Sequence, residues 1–222
     1  MTTRPAAVAG MFYPADRATL ARTVLDLLAA APAGDSDAKA IIAPHAGYPY
    51  SGPTAAHAYR LLESRRERIR RVVLLGPAHR VYLQGMALPS VDAFATPLGA
   101  VPIDAEGVEL ALAQPGTQIS DEAHAAEHSL EVHLPFLQTV LDDFALVPIV
   151  VGVCEASSIS AKLVVEPSSN RNSSIRASGL DSAPTRVIRS SLPVNRITRS
   201  SALGCVKKTS TGAIPAANSM AS

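Results

Sequence analysis

The chain has 222 residues, 47% of them hydrophobic and 18% charged, with a formal net charge of +1, enough for one ordinary domain or one domain and a tail. The near-neutral balance excludes recognition of nucleic acid or an anionic membrane through bulk charge, and two cysteines, Cys154 and Cys205, exclude a disulfide framework. The opening MTTRPAAVAGMFYPAD lacks the long apolar core of a signal peptide and no apolar run reaches bilayer length, so a cytoplasmic location without nucleic-acid or membrane partners is expected.

Residues 16–30 (DRATLARTVLDLLAA) read as an amphipathic helix, with Asp16 as N-cap and Leu20, Val24, Leu27 and Leu28 on one face. After the loop APAGDSD, AIIA (40–43) reads as a short strand, PHAGYPYSG (44–52) as a loop, and 53–68 as a helix with Pro53 near its first turn. RRVVLLG (70–76) is a continuously apolar strand of the sort buried on both faces of a parallel sheet. The loop GPAHR (76–80) follows, then the strand GMALPS and an extended connection, FATPLGAVPID. Residues 104–114 read as a helix, as does EHSLEVHLPFLQTVL (127–141), where Pro135 marks a kink or a start; FALVPIVVG (144–152) is a strand. The alternation predicts a three-layer α/β/α fold with a largely parallel or mixed central sheet over residues 1–152. In such sheets ligands bind beyond the carboxyl ends of the strands.

The pattern stops after Gly152. Residues 1–152 hold all nine aromatics, with 11 basic against 16 acidic side chains; residues 153–222 hold none, with 9 basic against 3 acidic side chains and 16 serines. Two readings stand for 153–222: a basic, disordered tail unable to bury enough apolar surface to offset its ordering entropy, or translation in a shifted frame. The abruptness of the change, where the next helix is due, favours the shifted frame.

The chemistry centres on histidine. A lone histidine is more often structural, and His57, inside AAHAYR on a helix, falls in that class. His45 and His79 each lie just past a strand end, flanked by Pro and Gly that bring the backbone in close. Two imidazoles converging there suit a Zn, Fe or Cu ion. In DEAHAAEHSLEVHLP, Glu127 and Glu131 are four apart, as are His124 and His128, so on a helix each pair shares a face. The segment reads either as a solvated face or as a source of pocket groups, with His128 or Glu131 as acid, base or support. Tyr48 and Tyr50 serve as pocket walls, as hydrogen-bond donors to a ligand or as packing, with packing favoured for at least one. No GxSxG, P-loop or GxGxxG occurs, so esterase, nucleotide-triphosphatase and dinucleotide readings lack their anchors.

GMFYPAD, IIAPHAGYPYSGPTAAHAYR, VVLLGPAHR and the run from VDAFATPLG through EHSLEVHLPFLQ to VPIVVG, in that order over residues 8–152, together resemble the Memo family. Its prokaryotic members are called AmmeMemoRadiSam system protein B. The resemblance implies a fold similar to class III extradiol dioxygenases, which use non-haem Fe(II). It implies metal ligation by His45 and His79, a third ligand from the C-terminal part, and pocket places for Tyr50, Glu127 and Glu131, with His128 lining the pocket in a catalytic role. No SSD-x-SHY motif occurs in 153–222, and neither Cys205 nor Cys154 sits in the family's cysteine context. The implied site is therefore incomplete here, and the sheet would keep an unpaired edge. Three functions remain open: an oxidoreductase of the non-haem iron dioxygenase type, a non-catalytic metal- or peptide-binding scaffold, and an inactive truncated product. Family context also implies AMMECR1-like and radical-SAM partner proteins.

Overall fold

The computed structural model describes residues 1–153; the expectations for the C-terminal segment, including Cys154, Cys205 and the two readings of its origin, lie outside the described residues. Helix α1 spans Arg17–Ala30. Asp16 caps it by accepting from the Thr19 N–H at 2.9 Å and the Thr19 hydroxyl at 2.7 Å. Leu20, Val24 and Leu28, one turn apart, are the residues it buries. Helix α2, Tyr48–Arg60, starts inside the expected loop, because the Tyr50 and Ser51 N–H groups donate to the Gly47 carbonyl at 2.9 and 3.1 Å. Pro53 therefore lies inside the helix, not at its first turn, and forfeits one i→i−4 bond there.

The sheet is mixed and divided. Strands β2 (Arg71–Pro77), β7 (Ala145–Val151), β3 (Met86–Leu88) and β6 (Thr117–Ile119) form one sheet in the order β2-β7-β3-β6. β2 and β6 run parallel to their neighbours, whereas β3 and β7 are antiparallel to one another. β1 (Thr3–Arg4), β4 (Ala93–Thr96) and β5 (Gly99–Pro102) make a second sheet, tied to the first by the Asp104 N–H donating to the Leu146 carbonyl at 2.9 Å. The expected extended connection is thus a β-hairpin, with Pro97 and Leu98 at its turn and Phe94 facing Val101.

The parity of β7 builds the layers. Leu146 joins the apolar cluster of α1, α2 and α5 (Leu134–Val140). Val147 and Ile149, on the opposite face, join Ala111 of helix α3 (Ala105–Leu112). β7 is buried on both faces; β2, expected to be so, is only half-buried and pairs on one side alone among the described residues. AIIA is not a strand. It pairs with no described strand, though its alternation persists: Ile41 and Ala43 pack on the core while Ile42 is 98% exposed. No helix among the described residues is long and apolar enough to cross a membrane.

The helix expected over 127–141 is also resolved differently. Helix α4 (Asp121–Ala125) ends early, a 3₁₀ turn covers Glu131–His133, and Pro135 opens α5. Between them the Glu127 carboxylate accepts from the N–H groups of His128 and Ser129 at 2.8 and 2.9 Å. A side chain that takes the N–H groups following it replaces the helical carbonyls, and the helix cannot continue. Glu127 and Glu131 consequently do not share a helix face.

Glu131 is fully buried and forms an ion pair with buried Arg4, Nη1 to Oε2 at 2.6 Å. It also accepts from the Ala7 N–H (2.8 Å), the Val8 N–H (3.0 Å) and the Tyr13 hydroxyl (2.6 Å). Arg4 donates onward to the His124 and Glu127 carbonyls, both at 2.7 Å, and lies 4.9 Å over the ring of Phe94, its register partner on β4. Removing one member of a buried, hydrogen-bonded pair costs about 3–5 kcal/mol, because the other charge stays in the interior. Urea denaturation of Glu131→Ala is expected to show a loss of that size; a loss under about 1 kcal/mol would show that the pair does not hold the fold.

His124 is 2% exposed, and its Nε2 donates to the Ala87 carbonyl at 3.0 Å while Nδ1 has no partner. Burial holds its pKa at about 4, against 6.5 for a free imidazole. The unfolded chain therefore binds the extra proton first, and stability falls as pH drops from about 6.5 towards 4. The urea midpoint is expected to drop over that window, and to drop less in His124→Gln, which retains a donor for Ala87.

Candidate metal centre

Three segments far apart in sequence meet here. His79 follows the end of β2 by two residues, His45 lies two residues beyond the extended 40–43 segment and precedes α2, and His128 stands in the turn after α4. One potential ligand nitrogen from each of His45, His79 and His128 lies within 4.8 Å of the others. The His79 and His128 rings stack at 4.6 Å and 17°, and His45 is 5.3 Å from His79 and 6.0 Å from His128. Phe12 backs His128 at 4.5 Å. The approach of the 127–130 turn to the β2 terminus depends on Gly76, where a Cβ would fall 2.6 Å from the Ser129 hydroxyl oxygen. Ser129 in turn donates to the Pro77 carbonyl at 2.9 Å.

Glu127 organises the cluster. Its Oε2 accepts the His79 backbone N–H at 2.6 Å, and its Oε1 accepts His79 Nδ1 at 2.9 Å as well as the two N–H groups that follow it. Burial pushes the Glu127 carboxyl up, but the His79 and Ser129 donors outweigh it and hold the pKa at about 2. A carboxylate only accepts, so Nδ1 of His79 carries a proton, and in the neutral imidazole the lone pair lies on Nε2. Burial lowers the pKa of His45, and the neighbouring His79 lowers it further. Burial lowers that of His128 too, against the pull of Glu127, with His79, His45 and Arg80 adding to the lowering. Imidazoles kept neutral in this way are metal donors rather than fixed cations.

The other expected site residues separate. Glu131 belongs to the buried Arg4 network, where its carboxylate is engaged by Arg4, Ala7, Val8 and Tyr13. Tyr50 is 87% exposed on the first turn of α2; Tyr48 is buried, packs 5.1 Å from Phe136 and donates to the Val132 carbonyl at 3.0 Å. His57 is exposed. The sequence reading missed Phe12 behind His128, and His133, which is 5% exposed and 6.4 Å from His45. Burial first, then His45, brings the pKa of His133 down to about 4. It also missed Arg4 and Tyr13; the one available signal was Glu131, an acid between Leu130 and Val132 that needs buried partners.

A family profile described as "Memo-like protein" matches residues 4–178. The chain belongs to the Memo family. Among its Memo relatives it is 44% identical over 157 residues to a MEMO1 family protein of Aquifex aeolicus, covering 70% of this chain and 57% of the relative. It is 44% identical over 159 residues to the MEMO1 family protein MTH_45 of Methanothermobacter thermautotrophicus, covering 67% and 56%. With Protein MEMO1 of Xenopus laevis the figures are 38% over 159 residues, 69% and 53%. The chain thus spans a little over half the length of these Memo proteins.

Losing the Glu127 carboxylate strands four donors, three of them backbone amides. Glu127→Ala is expected to speed amide hydrogen exchange at His79, His128 and Ser129 while β7 stays protected. Equal protection at all three in wild type and variant would show that other contacts hold these loops.

Proposed function

We propose that the chain provides a divalent-metal pocket of the non-haem type, with oxidoreductase chemistry resembling that of the class III extradiol dioxygenases. The observation that supports it is the convergence of His45, His79 and His128, with a carboxylate fixing the tautomer of His79. The donor set fits a transition metal: neutral nitrogens suit Fe, Cu or Zn, and an outer carboxylate on a ligating histidine raises its basicity. As Fe(II), the ion would supply redox exchange with a bound oxidant and substrate, which these side chains lack.

The chain's own residues supply the setting. Glu127 keeps the His79 ring oriented by accepting its Nδ1–H. Phe12 shields one side of His128, while His79, 37% exposed, leaves the pocket open on the other. His133, buried against Tyr59, stands behind His45 with ring centroids 6.4 Å apart. With Tyr50 exposed and Glu131 committed elsewhere, substrate contacts would come from the histidine loops. AMMECR1-like and radical-SAM partners are part of the same reading and rest on the family context alone.

Iron loading of purified protein, measured as metal per chain after anaerobic reconstitution, tests the pocket. Wild type is expected to bind about one ion, and His45→Ala and His79→Ala each to lose at least tenfold in affinity. The same iron content in all three would sink the reading. Oxygen uptake with catechol-type substrates then separates turnover from simple binding.

A further inference from the structure

We infer that His128 is itself a metal ligand, so that a complete three-imidazole set, His45, His79 and His128, is assembled within the first 128 residues. This rests on the metal pocket proposed above and names its ligands; it departs from a third ligand drawn from the C-terminal part and from a proton-transfer role for His128.

Four observations carry it. First, the potential ligand atoms of the three histidines lie within 4.8 Å of one another, a gap that side-chain rotation closes onto one ion. Second, Nδ1 of His128 is buried without a hydrogen-bond partner and sits 3.4 Å from Glu127 Oε1, outside hydrogen-bond geometry. No hydrogen bond engages either ring nitrogen of His128 among the described residues, whereas His124, the structural histidine of the same segment, is fixed by the Ala87 carbonyl. A buried polar ring atom left unpaired in a native protein calls for a partner.

Third, the nearest carboxylate is not free to serve as the ligand. Both oxygens of Glu127 are engaged, by four donors in all, and turning either to an ion would abandon them. Fourth, that same carboxylate fixes the backbone of His128 and the backbone and ring of His79 at once. Both backbones and the His79 ring are therefore positioned before any ion arrives, which lowers the ordering cost of binding.

Loading the full chain with Cu(II) and counting coordinated imidazoles by pulsed electron paramagnetic resonance tests this. Three imidazoles are expected in wild type and two in His128→Gln, with at least a tenfold loss of copper affinity. His133→Gln serves as the control and is expected to retain three. Two imidazoles in wild type, with or without a thiolate charge-transfer band, would overturn the assignment while leaving the pocket intact. So would a lost imidazole in His133→Gln rather than in His128→Gln. Should His128→Gln fail to fold, the wild-type count and the His133→Gln control still decide. Wild type that binds neither copper nor iron would overturn the metal pocket and this assignment together.

Discussion

The buried ion pair between Arg4 and Glu131 is the constraint on which the rest depends. A guanidinium and a carboxylate in the interior are tolerable only if every remaining donor and acceptor is satisfied. Here the satisfaction reaches outwards. Arg4 takes the carbonyls of His124 and Glu127, and Glu131 takes the amides of Ala7 and Val8 and the hydroxyl of Tyr13. These bonds fix the N-terminal segment against the 124–131 segment, and the latter delivers Glu127 and His128 to the end of β2. The histidine cluster is therefore held from behind by a polar network that reaches it through the backbone of Glu127.

Two carboxylates in one short segment thus take different roles for physical reasons. Glu131 meets a full cation and is closed off from solvent on every side. Glu127, 2% exposed, meets only N–H groups, four of them, and one belongs to an imidazole at the pocket. The first carboxylate stabilises the fold, whereas the second transmits that rigidity to a ring nitrogen.

Where local signal and tertiary context agree, the sequence reads correctly. Helix α1 follows from Asp16 and the Leu20–Val24–Leu28 stripe, and β7 follows from an apolar run whose two faces both find partners. The errors lie where a distant group decides. AIIA has the composition of a strand but pairs with no described strand, and a ladder needs two strands. FATPLGAVPID carries two prolines, which hid a hairpin whose Pro97 falls at the turn and Pro102 at a strand end. The helical periodicity of 127–141 is real, yet Glu127 caps its own following amides and breaks it. His45 and His79 were legible as strand-end histidines next to Gly and Pro. That His128 joins them was expected from the family resemblance and not from local pattern, because the turn that carries it is tied down by Arg4, more than a hundred residues away.

That separation has a consequence for how the protein is made. Arg4 and Glu131 stand 127 positions apart in the chain, so their contact closes a long loop, and loops of that span close slowly. A nascent chain emerging N-terminus first cannot form this ion pair until well over half of the polypeptide has left the ribosome. Until then Arg4 lacks its carboxylate partner. The site is accordingly a late product of synthesis, assembled in one step when the 124–131 segment arrives.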